Sequence, residues 1–106
     1  MKQYNKNSDL QKWHHPGGKL IELGAENLSD TELLSIIISP GIKGRSAEKI
    51  AQDIMTKFGS FKGMACQPFE KFYKIKGLAE AKITKIAACF EIARRIVNEV
   101  LKDYEE

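Results

Sequence analysis

Long apolar runs are missing from this 106-residue chain: the densest is Ile36 to Ile38, and the first dozen residues are polar. A membrane span needs about 20 consecutive apolar residues and a secretory signal needs an apolar stretch behind a basic start. Neither is present, so the chain is expected in the cytoplasm and away from membranes. Cysteine is scarce too. Cys66 and Cys89 have no partner at metal-ligand spacing, which predicts reduced, partly buried thiols and excludes a disulfide or zinc framework. Histidine is confined to His14 and His15, expected as exposed tail residues, with Trp13 before them placed to dock the tail on the core. Nothing matches a nucleophile elbow, a P-loop or a spaced carboxylate cluster, so no enzyme, metal or cofactor is expected. Nor does any stretch alternate with period two, which leaves strands without support.

What is present is an ordinary globular composition, 42% hydrophobic and 29% charged, in a length suited to one modest core. The net charge of +3 conceals an uneven distribution. Between Lys43 and Lys85 there are ten basic residues against four acidic, while the segments on either side are slightly acidic. All the positive excess therefore lies mid-chain, where it flanks two glycine-containing loops.

Helix signals are frequent. Residues 1–14 read as a polar tail and 15–106 as one domain. Lys19 to Gly24 suggests a short helix stopped by its glycine. Leu28-Ser29-Asp30-Thr31-Glu32-Leu33 is a capping box with a hydrophobic staple, opening a mostly buried helix that Pro40 and Gly41 stop. Ser46 caps a second helix carrying Ala47, Ile50, Ala51, Ile54, Met55 and Phe58 at helical spacing, with Gly59 at its end. A further turn over Ser60 to Ala65 and a short helix begun by Pro68, burying Phe69, Phe72 and Ile75, follow. The last helix starts near Glu80 and shows Ile83, Ile86, Ala87, Phe90, Ala93, Val97 and Val100 or Leu101 on one face. Its length of about 25 residues, roughly 37 Å, outlasts the rest of the core. The class is all-α, with five or six helices and short connections.

Twice a helix ends, a glycine-containing loop turns the chain, and a second helix begins among basic residues: Gly41 to Lys49, then Gly77 to Lys85. Ile75-Lys76-Gly77-Leu78-Ala79-Glu80-Ala81-Lys82-Ile83 resembles the helix-hairpin-helix motif, in which free backbone N–H groups at the hairpin and helix start grip a phosphate. The motif's second glycine is Ala79 here, and Glu80 adds a repelling charge beside it. Gly41-Ile42-Lys43-Gly44-Arg45-Ser46 keeps two glycines and two basic residues and reads as the better phosphate site.

The wider sequence carries a more specific resemblance. Lys19 to Leu34, Gly41 to Ser46, Lys57-Phe58-Gly59-Ser60-Phe61, and Ile75 through Lys82 to Arg94-Arg95 resemble, in order and spacing, the N-terminal domain of the RadC (UPF0758-type) family over roughly residues 15–97. That resemblance implies a tandem helix-hairpin-helix fold with a long C-terminal helix, similar to the small helical domains of Holliday-junction and repair proteins (RuvA domain 2-like, SAM-like), and a DNA-binding role in repair. RadC-like proteins continue into a metalloprotease-like domain with a His-x-His and Ser-x-x-Asp motif, which His14-His15-Pro16 is not. Ser39-Pro40, His15, Gly17 and Gly18 also depart from the family's pattern. A glycosylase reading fails because the residues after Gly77 form one helix without the Gly-Pro stretch and aspartate such enzymes place there.

Two function classes survive. In the first, the chain binds DNA without sequence preference, through backbone groups of Gly41, Gly44, Gly77, Leu78 and Ala79 and the cap at Ser46, with Lys43, Arg45, Lys76, Lys82 and Lys85 as counter-charges. In the second, it is a non-catalytic interaction or dimerisation module that uses Ile96, Val97, Val100 and Leu101 to dock a second domain or another copy. Convergence of the two basic loops on one face favours the first; scatter favours the second.

Overall fold

A computed structural model describes residues 16–105 of the chain. The expectations for Trp13, His14, His15 and the polar tail lie outside those residues. Among the described residues there are six α-helices and a 3-10 turn: α1 Pro16–Leu23, the turn Ala25–Asn27, α2 Asp30–Ile38, α3 Ala47–Phe58, α4 Phe61–Met64, α5 Phe69–Tyr73 and α6 Glu80–Asp103. The all-α class expected from periodicity is what the described residues adopt.

Local chemistry accounts for the boundaries. At α2 the Ser29 hydroxyl accepts from the Glu32 N–H at 3.1 Å while the Glu32 carboxylate accepts from the Ser29 N–H at 3.0 Å, a complete capping box. The same carboxylate accepts from Lys19 Nζ at 3.1 Å, which pins α1 onto α2. The Ser29 N–H, then Lys19, hold the Glu32 pKa below its ordinary value. Ser46 caps α3 by accepting from the Lys49 N–H, and Gly59, at φ 83°, ends it. The described part of α1 already includes Pro16, Gly17 and Gly18 ahead of Lys19.

The core lies between α2 and α3, the two helices packed most closely, and is closed by α4, α5 and the first half of α6. Ile38, Ile50, Ala51 and Ile54 are fully buried, with Leu34, Met64, Phe72, Ile75, Leu78, Ile83 and Ile86 around them. The Phe58 and Phe72 rings meet at 4.8 Å between centroids. Three expectations need correction. Pro68 is the cap of α5 and not its first residue; Phe69 is 57% exposed, because a five-residue helix buries only one face and Phe72 takes it. Cys66 and Cys89 are both exposed, Cys89 at the edge of a groove it shares with Leu20, Leu33 and Phe61. α6 runs for 24 residues, yet only Ile83 and Ile86 on it are buried, so its second half projects past the core.

Candidate nucleic-acid interface

The first hairpin is built to be closed. Ile42 and Arg45 exchange backbone hydrogen bonds of 2.9 and 3.0 Å around Lys43-Gly44, with Gly44 at φ 82° at the tip. The turn folds back so tightly that a Cβ on Gly41 would stand 2.4 Å from the Arg45 carbonyl oxygen and 2.7 Å from the Ala47 nitrogen, which only glycine avoids. The Arg45 guanidinium donates to Asp53, through Nε at 3.1 Å and through a second, shorter contact, and Lys49 Nζ lies 3.4 Å from the other Asp53 oxygen. Arg45 first, then Lys49, hold the Asp53 carboxyl below its ordinary range. Two of the hairpin's cations thus already have an internal counter-ion, and the Ser46 hydroxyl is occupied as a cap. Lys43 and Gly44 remain exposed, with space free around Gly44.

The second hairpin is built to be open. Its Gly77 takes φ 97° and lies so close to the first hairpin that a Cβ there would stand 2.5 Å from Ile50 Cδ1 and 3.7 Å from Ile42 Cδ1. The Leu78 side chain is buried and its N–H donates to the Ile75 carbonyl at 3.1 Å, so that group faces inward. Ala79 is the N-cap of α6 and has no side chain to satisfy the helix start. The N–H groups of Lys82 and Ile83 both donate to the Ala79 carbonyl, but those of Gly77, Ala79, Glu80 and Ala81 meet no acceptor among the described residues. A 24-residue helix therefore starts without a side-chain cap, beside a turn whose Gly77 and Ala79 N–H groups have no acceptor among the described residues. Lys76 and Lys85 are exposed on either side; Glu80, in the first turn, is exposed as well.

The two loops are neighbours. Besides the packing of Gly77 against Ile50 and Ile42, the Lys82 ammonium donates to the Pro40 carbonyl, joining the start of α6 to the approach of the first hairpin. Lys82 is half-buried by this contact and serves the junction between the hairpins. One further basic locus escaped the sequence reading: Lys57, Lys71 and Lys74 line a cleft of about 440 Å³ beside Phe58, with Lys57 Nζ donating to the Lys71 carbonyl at 2.9 Å. Lys57 and Lys71 are fourteen positions apart on different helices, so no spacing rule links them. No group of three His, Cys, Asp or Glu residues able to hold a metal exists among the described residues, and no helix there is long and apolar enough to cross a membrane.

Comparison with known proteins gives a consistent family. A UPF0758 protein of Nitrosomonas eutropha is 40% identical over 95 residues, covering 90% of this chain and 42% of the relative. One of Chromobacterium violaceum is 39% identical over 87 residues, 82% of this chain and 39% of its own length. Another, from Nitrosomonas europaea, is 38% identical over 96 residues, 91% and 43% respectively. The chain thus spans about two fifths of the length of these curated relatives. No solved structure matches it. Residues 8–84 match the family described as UPF0758 N-terminal, and the chain belongs to that family.

Proposed function

We propose that this chain is a non-catalytic DNA-binding module of tandem helix-hairpin-helix type, serving a RadC-like protein in DNA repair. The observation that carries the reading is the bare start of α6: N–H groups at Gly77, Ala79, Glu80 and Ala81 without an acceptor among the described residues, with no side-chain cap, in the basic part of the chain. Such a site attracts a phosphate through the helix dipole and hydrogen bonds together, and it reads no base. The adjacency of the first hairpin supports the same reading, since Lys43 and Gly44 are exposed next to it. Gly41, Arg45, Ser46, Leu78 and Lys82 then act by shaping and joining the hairpins, while Lys43, Gly44, Lys76, Gly77, Ala79 and Lys85 make the contacts.

The test is fluorescence anisotropy with labelled duplex, single-stranded and branched DNA over a range of salt, comparing wild type with Lys43→Glu/Lys76→Glu. Binding should weaken linearly in log salt, with a slope near −0.9 per contacted duplex phosphate, and the variant should lose affinity alike for every sequence. Absence of binding at low salt overturns the reading.

A further inference from the structure

Among the described residues nothing covers the apolar face of the outer half of α6, and its pattern specifies a partner. Ile83, Ile86, Phe90, Ala93, Val97, Val100 and Tyr104 follow one another at steps of three and four residues without a break, the spacing of a coiled-coil seam. The domain covers the first three: Ile83 and Ile86 are buried and Phe90 packs on the core. From Ala93 onward the seam is bare, with Val97 55%, Val100 48% and Tyr104 81% exposed, and Ile96 and Leu101 widen it.

We infer that the outer half of α6 pairs with the same segment of a second copy, antiparallel, with Val97 opposite the partner's Val100 and Ala93 opposite the partner's Tyr104. Four observations select this occupant and direction. The seam reads the same from either end, so a single two-fold axis satisfies both copies and closes the interface. The bulkiest residue falls opposite the smallest, which is how facing layers interdigitate. Tyr104 then lies beside Ala93 and Phe90, over an apolar groove of about 450 Å³ walled by Met64, Phe69 and Phe72. Charge agrees as well: Glu91, Arg94 and Arg95 leave one end of the segment net positive, while Glu99, Lys102, Asp103 and Glu105 leave the other net negative, so antiparallel pairing brings opposite ends together.

A parallel pair is excluded by shape. Each domain body fills the seam side of its own helix along Ile83 to Phe90, where the inner half of a parallel partner would have to lie. The antiparallel pair overlaps only over Ala93 to Tyr104, about 18 Å, and sends each inner half beyond the other's end. Covering the five large apolar side chains on both copies removes on the order of 1,200 Å² from water, at the lower edge of what specific interfaces bury. The pairing is therefore reversible and concentration-dependent. It does not rest on the DNA-binding reading.

The test uses the whole chain without nucleic acid. Sedimentation equilibrium should show a monomer–dimer system in the micromolar range, and Val97→Glu/Val100→Glu should be monomeric with unchanged helical content and the melting of dilute, monomeric wild type, since both positions are exposed in the single copy. In a Cys66→Ser/Cys89→Ser background, chains carrying Ala93→Cys mixed with chains carrying Tyr104→Cys should oxidise to the mixed disulfide in preference to like-with-like species. A wild type that stays monomeric at high micromolar concentration overturns the proposal, because the face then belongs to another partner. Like-with-like disulfides alone overturn it too, because they report parallel pairing.

Discussion

The two hairpins answer the same architectural problem, turning the chain between helices, with opposite chemistry. At the first, Gly41 to Ser46, the turn's backbone is paired, the helix start is capped by a hydroxyl and the arginine has an internal counter-ion. At the second, Lys76 to Ala79, the helix start is bare and the neighbouring lysines are free of ion pairs among the described residues. Sequence favours the first as the phosphate site, because glycine and basic residues are what a phosphate loop needs. What it could not weigh is satisfaction: a site keeps a ligand's place only where its own groups have not already filled it. In the first hairpin most groups are paired within the fold and only Lys43 and Gly44 stay exposed, whereas the helix start of the second has no side-chain cap.

The largest expected effect comes from breaking the first hairpin's backbone. Gly41→Ala pushes a methyl group into the Arg45 carbonyl and should cost about 3 kcal/mol or more in urea unfolding, whereas Gly44→Ala, with open space around it, should cost only about 1 kcal/mol for its positive φ. Equal costs would mean that the tight fold-back at Gly41 is not needed. Next, charge reversal at Lys43 and at Lys76 should each weaken duplex binding by about tenfold at 0.1 M salt if each faces one phosphate, with the salt slope falling by about one per site. Titrations at three salt concentrations measure both.

Removing the first hairpin's cap is a smaller change. Ser46→Ala should lower stability by about 1 kcal/mol and leave DNA affinity where it was, since the hydroxyl is already engaged in accepting from the Lys49 N–H. Smallest is the release of the paired cations: Asp53→Asn frees Arg45 and Lys49 and should raise DNA affinity by about two- to threefold. Acid does the same work reversibly. Asp53 titrates below its ordinary value, so it stays ionised and paired above that value, and its contribution to stability is lost only as pH falls through the lowered pKa. Carboxylate NMR should find Asp53 among the last aspartates to protonate, and Glu91, held at about 2 by Arg94 and Arg95, below the other glutamates.

How much of this was legible follows from the range over which each signal acts. The capping box at Ser29, the cap at Ser46, the stop at Gly59 and the full run of α6 are decided within a few residues of chain, and sequence located them. The pairing of Arg45 with Asp53 across eight residues, the reach of Lys82 to Pro40 across forty-two, and the lysine cleft at Lys57, Lys71 and Lys74 depend on how helices pack. No local pattern encodes them. The bare cap at Ala79 was visible as a missing glycine, but its meaning, an unsatisfied helix start, needed the helix to be in place. Exposure of Phe69 and Cys89 was missed for the same reason: periodicity says which face is apolar, not how far the core extends to meet it.

The most direct measurement is to cap α6. Ala79→Asp supplies the side-chain acceptor and negative charge that the helix start lacks, so thermal unfolding should show a gain of about 1 kcal/mol while DNA anisotropy shows affinity falling, because the new carboxylate occupies the phosphate's place. Greater stability with weaker binding is the result the account predicts. A variant that gains stability and binds DNA as well as wild type would contradict it, placing the nucleic-acid contact somewhere other than the second hairpin.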